Sequence, residues 1–152
     1  MDRLLAIPTE AQIAYIAGFF DGEGCVGIRK PCMDKSRGRL KTHSPYVTIS
    51  QVHRDVLDMI RGFYGGNIYF SKNGGKNGIW TYQQGGTNLG FDFLRAIYPY
   101  LIVKKEQVRV ILEAFEELVS IKKAGTPDYL VQRREAARLE LTRLKGLHLA
   151  RI

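Results

Sequence analysis

Two carboxylates, Asp21 and Glu23, alternate with two glycines, Gly22 and Gly24, directly after the apolar run Ile13-Ala14-Tyr15-Ile16-Ala17-Gly18-Phe19-Phe20. Carboxylate oxygens grouped with backbone carbonyls suit a hard divalent cation. Glycines at 22 and 24 allow a tight turn that presents those carbonyls. The preceding stretch predicts a helix: Thr9 followed three residues later by Gln12 is a capping-box signature, with Pro8 just outside it. Ile13, Ile16, Ala17 and Phe20 then recur at helical spacing. Both carboxylates therefore stand at a helix C-terminus, where the macrodipole is already negative and each charge costs about 0.3–1 kcal/mol. A bound cation reverses that local sign. A polar turn ending a buried helix accounts for the same residues, and spacing does not separate the two readings. A calcium loop does not account for them, because the twelve-residue ligand spacing and its terminal Glu are missing.

The elements around this stretch alternate in type. In the first helix, Ala14 and Gly18 put two small residues four apart on one face, which admits a second helix at short range. Cys25 to Lys30 reads as a strand with Val26 and Ile28 inward. Pro31 to Lys41 reads as a basic loop carrying Lys35, Arg37, Arg39 and Lys41 against Asp34. A second strand, about Tyr46 to Val52, buries Val47 and Ile49 and presents Tyr46, Thr48 and Ser50 outward, with Gln51 near its end. Arg54 to Tyr64 predicts a helix on Val56, Leu57, Ile60 and Phe63, stopped by Gly65-Gly66. Strands Asn67–Lys72 and Ile79–Gln84 follow, joined by the turn-rich residues 73–78. Ile68, Tyr69 and Phe70 are all apolar, so the outward face of the first of these strands is not assigned; in the second, Trp80 and Tyr82 alternate with Thr81 and Gln83. A helix capped by Thr87 or Asn88 uses Phe91, Leu94 and Ile97 and halts at Pro99. A longer one, Lys104 to Lys122, repeats Val108, Ile111, Leu112, Phe115, Leu118 and Val119. The last, after Pro127-Asp128, uses Leu130, Ala137, Leu141 and Leu144 and leaves Arg133, Arg134, Arg138 and Arg143 on a solvated face.

Composition narrows the class. A chain of 152 residues is long enough for one domain (1–152) with a real core, and its 45% hydrophobic content is ordinary for a globular protein. No run reaches the apolar length of a membrane span, and the N-terminus turns polar too soon for a signal peptide. A net charge of +8 and a sequence pI near 9.6 favour a polyanionic partner. Cys25 and Cys32 show no CxxC spacing or His partners, so neither zinc nor a disulfide framework is indicated, and a reducing compartment is the expected setting.

Tyr15-Ile16-Ala17-Gly18-Phe19-Phe20-Asp21-Gly22-Glu23-Gly24 resembles the motif that names the LAGLIDADG homing endonucleases, with Glu in place of the second Asp. The order of helices and strands is similar to that family over nearly the whole chain. The resemblance implies an α+β fold of αββαββα type, a curved antiparallel four-stranded sheet backed by helices. It implies Glu23 as a metal-binding carboxylate with the Gly22 carbonyl beside it, and Gln51 as a residue ordering active-site water. Lys104 becomes the cation near the scissile phosphate, with Gln107 one turn on in the same water network.

The chemistry so implied is metal-assisted phosphodiester hydrolysis with magnesium; manganese is a candidate substitute, and calcium is expected to support binding without efficient cutting. No organic cofactor and no membrane partner are implied. One motif supplies one metal-binding carboxylate, and the chain holds no second copy. The expected protein is thus a homodimer on double-stranded DNA, joined through Ala14, Gly18, Phe19 and Asp21 and cutting both strands of a long, roughly palindromic site. Its DNA surface is expected to comprise Gly27, Arg29, Tyr46, Thr48, Ser50, Thr81 and Gln83, with Lys35, Arg37, Arg39, Lys41 and Lys72 around them. Two other readings fit the same scaffold: an intron RNA maturase and a non-catalytic DNA-binding regulator. A bacterial cytoplasm or a genome-containing organelle is the expected setting.

Overall fold

Gln12 and Thr9 bond reciprocally. In the computed structural model, which describes residues 6–31, 33–34, 39–40, 43–73, 75–85, 89–116 and 126–149, the Gln12 N–H donates to Thr9 Oγ1 at 3.2 Å and the Thr9 N–H donates to Gln12 Oε1 at 2.9 Å. This capping box opens α1, Glu10–Glu23, whose inner face buries Ile16, Ala17 and Phe20. Helix α1 passes straight into β1, Gly24–Arg29. The tight turn expected from Gly22 and Gly24 does not form, since neither has a positive φ and Gly24 is extended at φ −81°, ψ 158°. Packing sets the requirement at Gly24 instead: a Cβ there would lie 2.2 Å from the ring of Phe20, which is fully buried.

The main sheet adds β4 (Ser44–Gln51), β5 (Asn67–Ser71) and β6 (Ile79–Gly85), in the antiparallel order β1-β4-β6-β5. Its register sorts the side chains. One face carries the rows Val26–Val47–Gln84 and Gly24–Ile49–Tyr82–Ile68, then Gln51–Trp80–Phe70 at one end. The other face carries Arg29–Ser44, Gly27–Tyr46–Gly85, Cys25–Thr48–Gln83–Asn67 and Ser50–Thr81–Tyr69. Register therefore settles the face of β5, with Ile68 and Phe70 inward and Tyr69 outward. The basic loop also holds a two-stranded ribbon, β2 (Met33–Asp34) with β3 (Arg39–Leu40), too short for alternation to reveal.

Helix α2, Arg54–Tyr64, has the expected bounds and ends where Gly65 and Gly66 take φ of 73° and 100°. Helix α3, Leu89–Ile97, leads through a 3-10 turn at Tyr98–Tyr100; its expected caps, Thr87 and Asn88, lie outside the described residues. Helix α4, Lys105–Ala114, is shorter than expected. It ends because Phe115 leaves helical dihedrals (φ −113°, ψ 14°), and its buried ring packs against Phe91. Leu118 and Val119 lie outside the described residues. Helix α5, Asp128–Leu149, buries Leu130, Ala137 and Leu141. Arg134 is buried with them, its guanidinium 4.7 Å from the Phe115 ring centre, and so does not belong to the solvated face expected for it. Helices α1 to α4 cover the Val26 and Ile49 side of the sheet, and the opposite side carries the polar and aromatic rows.

Candidate active site

The C-terminal end of α1 gathers groups far apart in sequence. Asp21 Oδ2 accepts the Ile102 N–H at 2.8 Å, and Oδ1 accepts the Lys104 N–H at 2.9 Å. The Lys104 ammonium donates to the Asp21 backbone carbonyl. Lys104, the N-cap of α4, is thereby held two residues from Glu23. Glu23 itself is exposed and makes no ion pair among the described residues. Gln51 ends β4, one inward row beyond the Gly24–Ile49 pair, so the sheet carries it toward the same end of α1. Its Oε1 accepts the N–H of Val52 at 2.7 Å and of His53 at 3.4 Å, which leaves its amide nitrogen as donor. Gln107 is buried on α4, among the core residues Val108, Val110 and Ile111.

The donor set fits one half of a divalent-cation site. Glu23 offers a carboxylate and Gly22 a carbonyl at an exposed helix end, both hard oxygen ligands. Among the described residues no three His, Cys, Asp or Glu side chains converge, so a single chain does not by itself gather a full carboxylate donor set. Asp21 does not share the role of Glu23. Its two oxygens are taken by backbone amides of its own chain, which also answers its unfavourable place at a helix C-terminus.

A stripe of α1 is uncovered. Ala11, Tyr15, Gly18 and Gly22 are exposed at helical spacing, and a Cβ on Gly18 or Gly22 would meet nothing within 4 Å. Ala14 is half-buried beside the stripe; Phe19 is half-buried and packs against the core.

On the outward sheet face, the Arg29 guanidinium lies 5.0 Å from the Tyr46 ring centre. Tyr46 in turn covers Gly27, where a Cβ would lie 2.3 Å from its ring. Gly27 is therefore buried, and Tyr46 takes its place in the surface. Thr48, Ser50 and Gln83 are half-buried. Thr81 faces the same way but is buried, its hydroxyl 3.0 Å from that of Ser50. Lys72 is exposed at the hairpin, as is Lys76. Lys35, Arg37 and Lys41, and the side chain of Arg39, lie outside the described residues.

Several polar contacts have no signature in sequence spacing. Besides the Asp21 contacts, Gln84 lies on the inward face and donates to the Tyr64 carbonyl at 2.6 Å. Lys145 on α5 donates to the Val26 carbonyl at 2.6 Å. His43 meets Glu135 at 2.7 Å, and hydrogen bonds from Arg138 first, then His43, hold the Glu135 carboxyl down at about 2.

The family model described as LAGLIDADG endonuclease matches residues 16–101, more than half of the 152-residue chain. Among solved structures, the homing endonuclease I-CvuI, in complex with the I-CreI target in the presence of magnesium and with the DNA not cleaved, superposes with a TM-score of 0.70. It shares 19% identity over 89% of this chain and 82% of that one. The archaeal intron-encoded homing endonuclease I-Vdi141I, complexed with DNA, gives 0.69 at 27% identity over 89% of this chain and 84% of that one. The LAGLIDADG homing endonuclease I-GzeII, in complex with its DNA target, gives 0.63 at 18% identity and matches 88% of this chain but 44% of its own. I-CvuI and I-GzeII, at those identities, bear on the fold. No curated protein sequence matches the chain. Among the described residues no helix is long and apolar enough to cross a membrane.

Proposed function

The chain belongs to the LAGLIDADG endonuclease family, and on that premise we propose that it is a site-specific double-strand DNA endonuclease that works as a homodimer. The observation carrying this reading is that Lys104 is held on Asp21, two residues before Glu23 in the chain, at the end of a helix whose small-residue stripe is uncovered. Two such helices packed face to face bring two Glu23 carboxylates together, which supplies the donors one chain lacks. Magnesium, with manganese as substitute, is the ion this oxygen donor set would hold. When bound it supplies Lewis acidity at the scissile phosphate.

The chain's own groups do the rest. The Lys104 ammonium keeps one N–H on the Asp21 carbonyl and turns another toward a phosphate oxygen as charge builds there. The free amide nitrogen of Gln51 orients water. Its oxygen is already fixed by the turn into α2, so the group is held in one pose. Buried Gln107 supports α4 rather than touching substrate. The outward rows with Arg29, Tyr46, Thr48, Ser50 and Gln83 meet base edges in the major groove, while Lys72 and Lys76 meet phosphates.

Cleavage selection on a randomised duplex library with magnesium tests the reading. A recovered family of long, roughly two-fold symmetric sites cut on both strands is the expected result. A protein that enriches sites by binding and cuts none of them, with magnesium or manganese, overturns the proposal.

A further inference from the structure

We infer that Asp21 is a positioning residue for the proposed cleavage, holding the Lys104 ammonium in register with Glu23. The inference rests on the endonuclease reading for its chemistry.

Asp21 is charged at the end of α1 that disfavours anions. The same carboxylate stands against the N-terminus of α4, whose N-cap, Lys104, makes no side-chain cap of its own. An anion there is favourable and offsets the misplacement on α1. The two amides it binds, Ile102 and Lys104, bracket a connection with little else to hold it, since the Ile102 and Val103 side chains are 85% and 55% exposed. A third contact closes the loop: the Lys104 ammonium donates to the Asp21 carbonyl, one of the C-terminal carbonyls that α1 cannot satisfy internally. Backbone and side chain of Lys104 are thus both tied to one residue. The neighbouring Lys105 is not in this arrangement; its ammonium lies 5.4 Å from the Tyr98 ring centre. Asp21 touches neither phosphate nor ion in this scheme and acts through Lys104.

Asp21→Asn replaces one acceptor oxygen with an N–H group that opposes a backbone N–H. With magnesium and a duplex that the wild type cuts, the cleavage rate should fall about tenfold or more, with DNA affinity unchanged. In a Lys104→Met background, adding Asp21→Asn should have little further effect, because contacting residues that act as one unit are non-additive. Fully additive losses, or equal losses in rate and affinity, overturn the inference. Hydrogen exchange gives a reading that needs neither activity nor a variant. The Ile102 and Lys104 amides should exchange slowly in the wild type, and fast exchange there overturns the inference. Slow exchange in a protein that cuts no DNA would count against the endonuclease reading and leave the clasp standing.

Discussion

His43, the residue before β4, and Glu135, on α5, meet at 2.7 Å between Nε2 and Oε2, with His43 buried and Glu135 half-buried. The pair ties the sheet to the last helix, and Arg138 reinforces it through two bonds of 3.1 and 2.6 Å to Glu135 Oε1. Arg138 and then His43 depress the Glu135 carboxyl to about 2. A carboxyl whose folded value lies below its unfolded one stabilises fully above the unfolded value, near ~4.3. That contribution is lost as pH falls through the folded value. Solvent screens much of it, because Glu135 is partly exposed. Between about pH 4.5 and 2, the melting temperature of the wild type should therefore fall more steeply than that of Glu135→Gln. Parallel melting curves over that range would show that the contact contributes nothing.

Gly24 offers a test of packing inside the motif. Gly24→Ala drives a methyl into the buried ring of Phe20, which is itself fixed edge-on to Phe93 at 5.8 Å between centres. Overpacking of this kind costs about 1–3 kcal/mol. Gly62→Ala is the control: Gly62 lies in α2 with nothing within 4 Å of its Cβ direction, so the change should stabilise by up to about 1 kcal/mol. Urea unfolding of both variants separates the two effects. A Gly24→Ala protein as stable as the wild type would mean that Phe20 has another place to go.

What sequence could reveal depended on whether the signal was local. The Thr9–Gln12 box and the span Arg54–Tyr64 are set by caps, period and paired glycines, all within a few residues, and both appear as expected. The face of β5 was not legible, because three successive apolar residues carry no alternation and the register against β6 decides it. Helix α4 was read too long because Phe115 keeps the apolar period while its backbone has already left the helix. Arg134 looks like its neighbours Arg133 and Arg138 in sequence, and its burial against the Phe115 ring distinguishes it. At the site, Glu23 and Lys104 were named through the family resemblance. The clasp between Asp21 and Lys104 spans 83 positions, so no local pattern could disclose it.

Glu23 separates a metal ligand from a turn residue. Its carboxylate is exposed and makes no ion pair among the described residues, so Glu23→Gln removes the charge without breaking a folded contact. Cleavage should fall by about a hundredfold or more, as when a main electrostatic group is lost, while binding to the same duplex in calcium persists. Substantial nicking by folded Glu23→Gln protein would remove Glu23 from the chemistry.

Gly18 tests assembly with little effect on the single chain. It lies in the uncovered stripe of α1, flanked by Tyr15 and Gly22, and its Cβ direction opens to solvent with nothing within 4 Å. A leucine there fits the isolated subunit, so secondary structure and the Phe20 core should be unchanged. Two α1 helices packed on this stripe have no such room. Added atoms force the backbones apart at a cost of about 1–3 kcal/mol on each side, and symmetry applies it twice. A total of about 2–6 kcal/mol weakens the dimer by roughly 30-fold to more than 10,000-fold. It also moves the two Glu23 carboxylates apart, so cleavage should be lost at concentrations where the subunit stays folded. Sedimentation of wild type and Gly18→Leu reads the assembly, and circular dichroism confirms the fold. A wild type that is monomeric at micromolar concentration yet cuts both strands would show that one chain carries a whole active site.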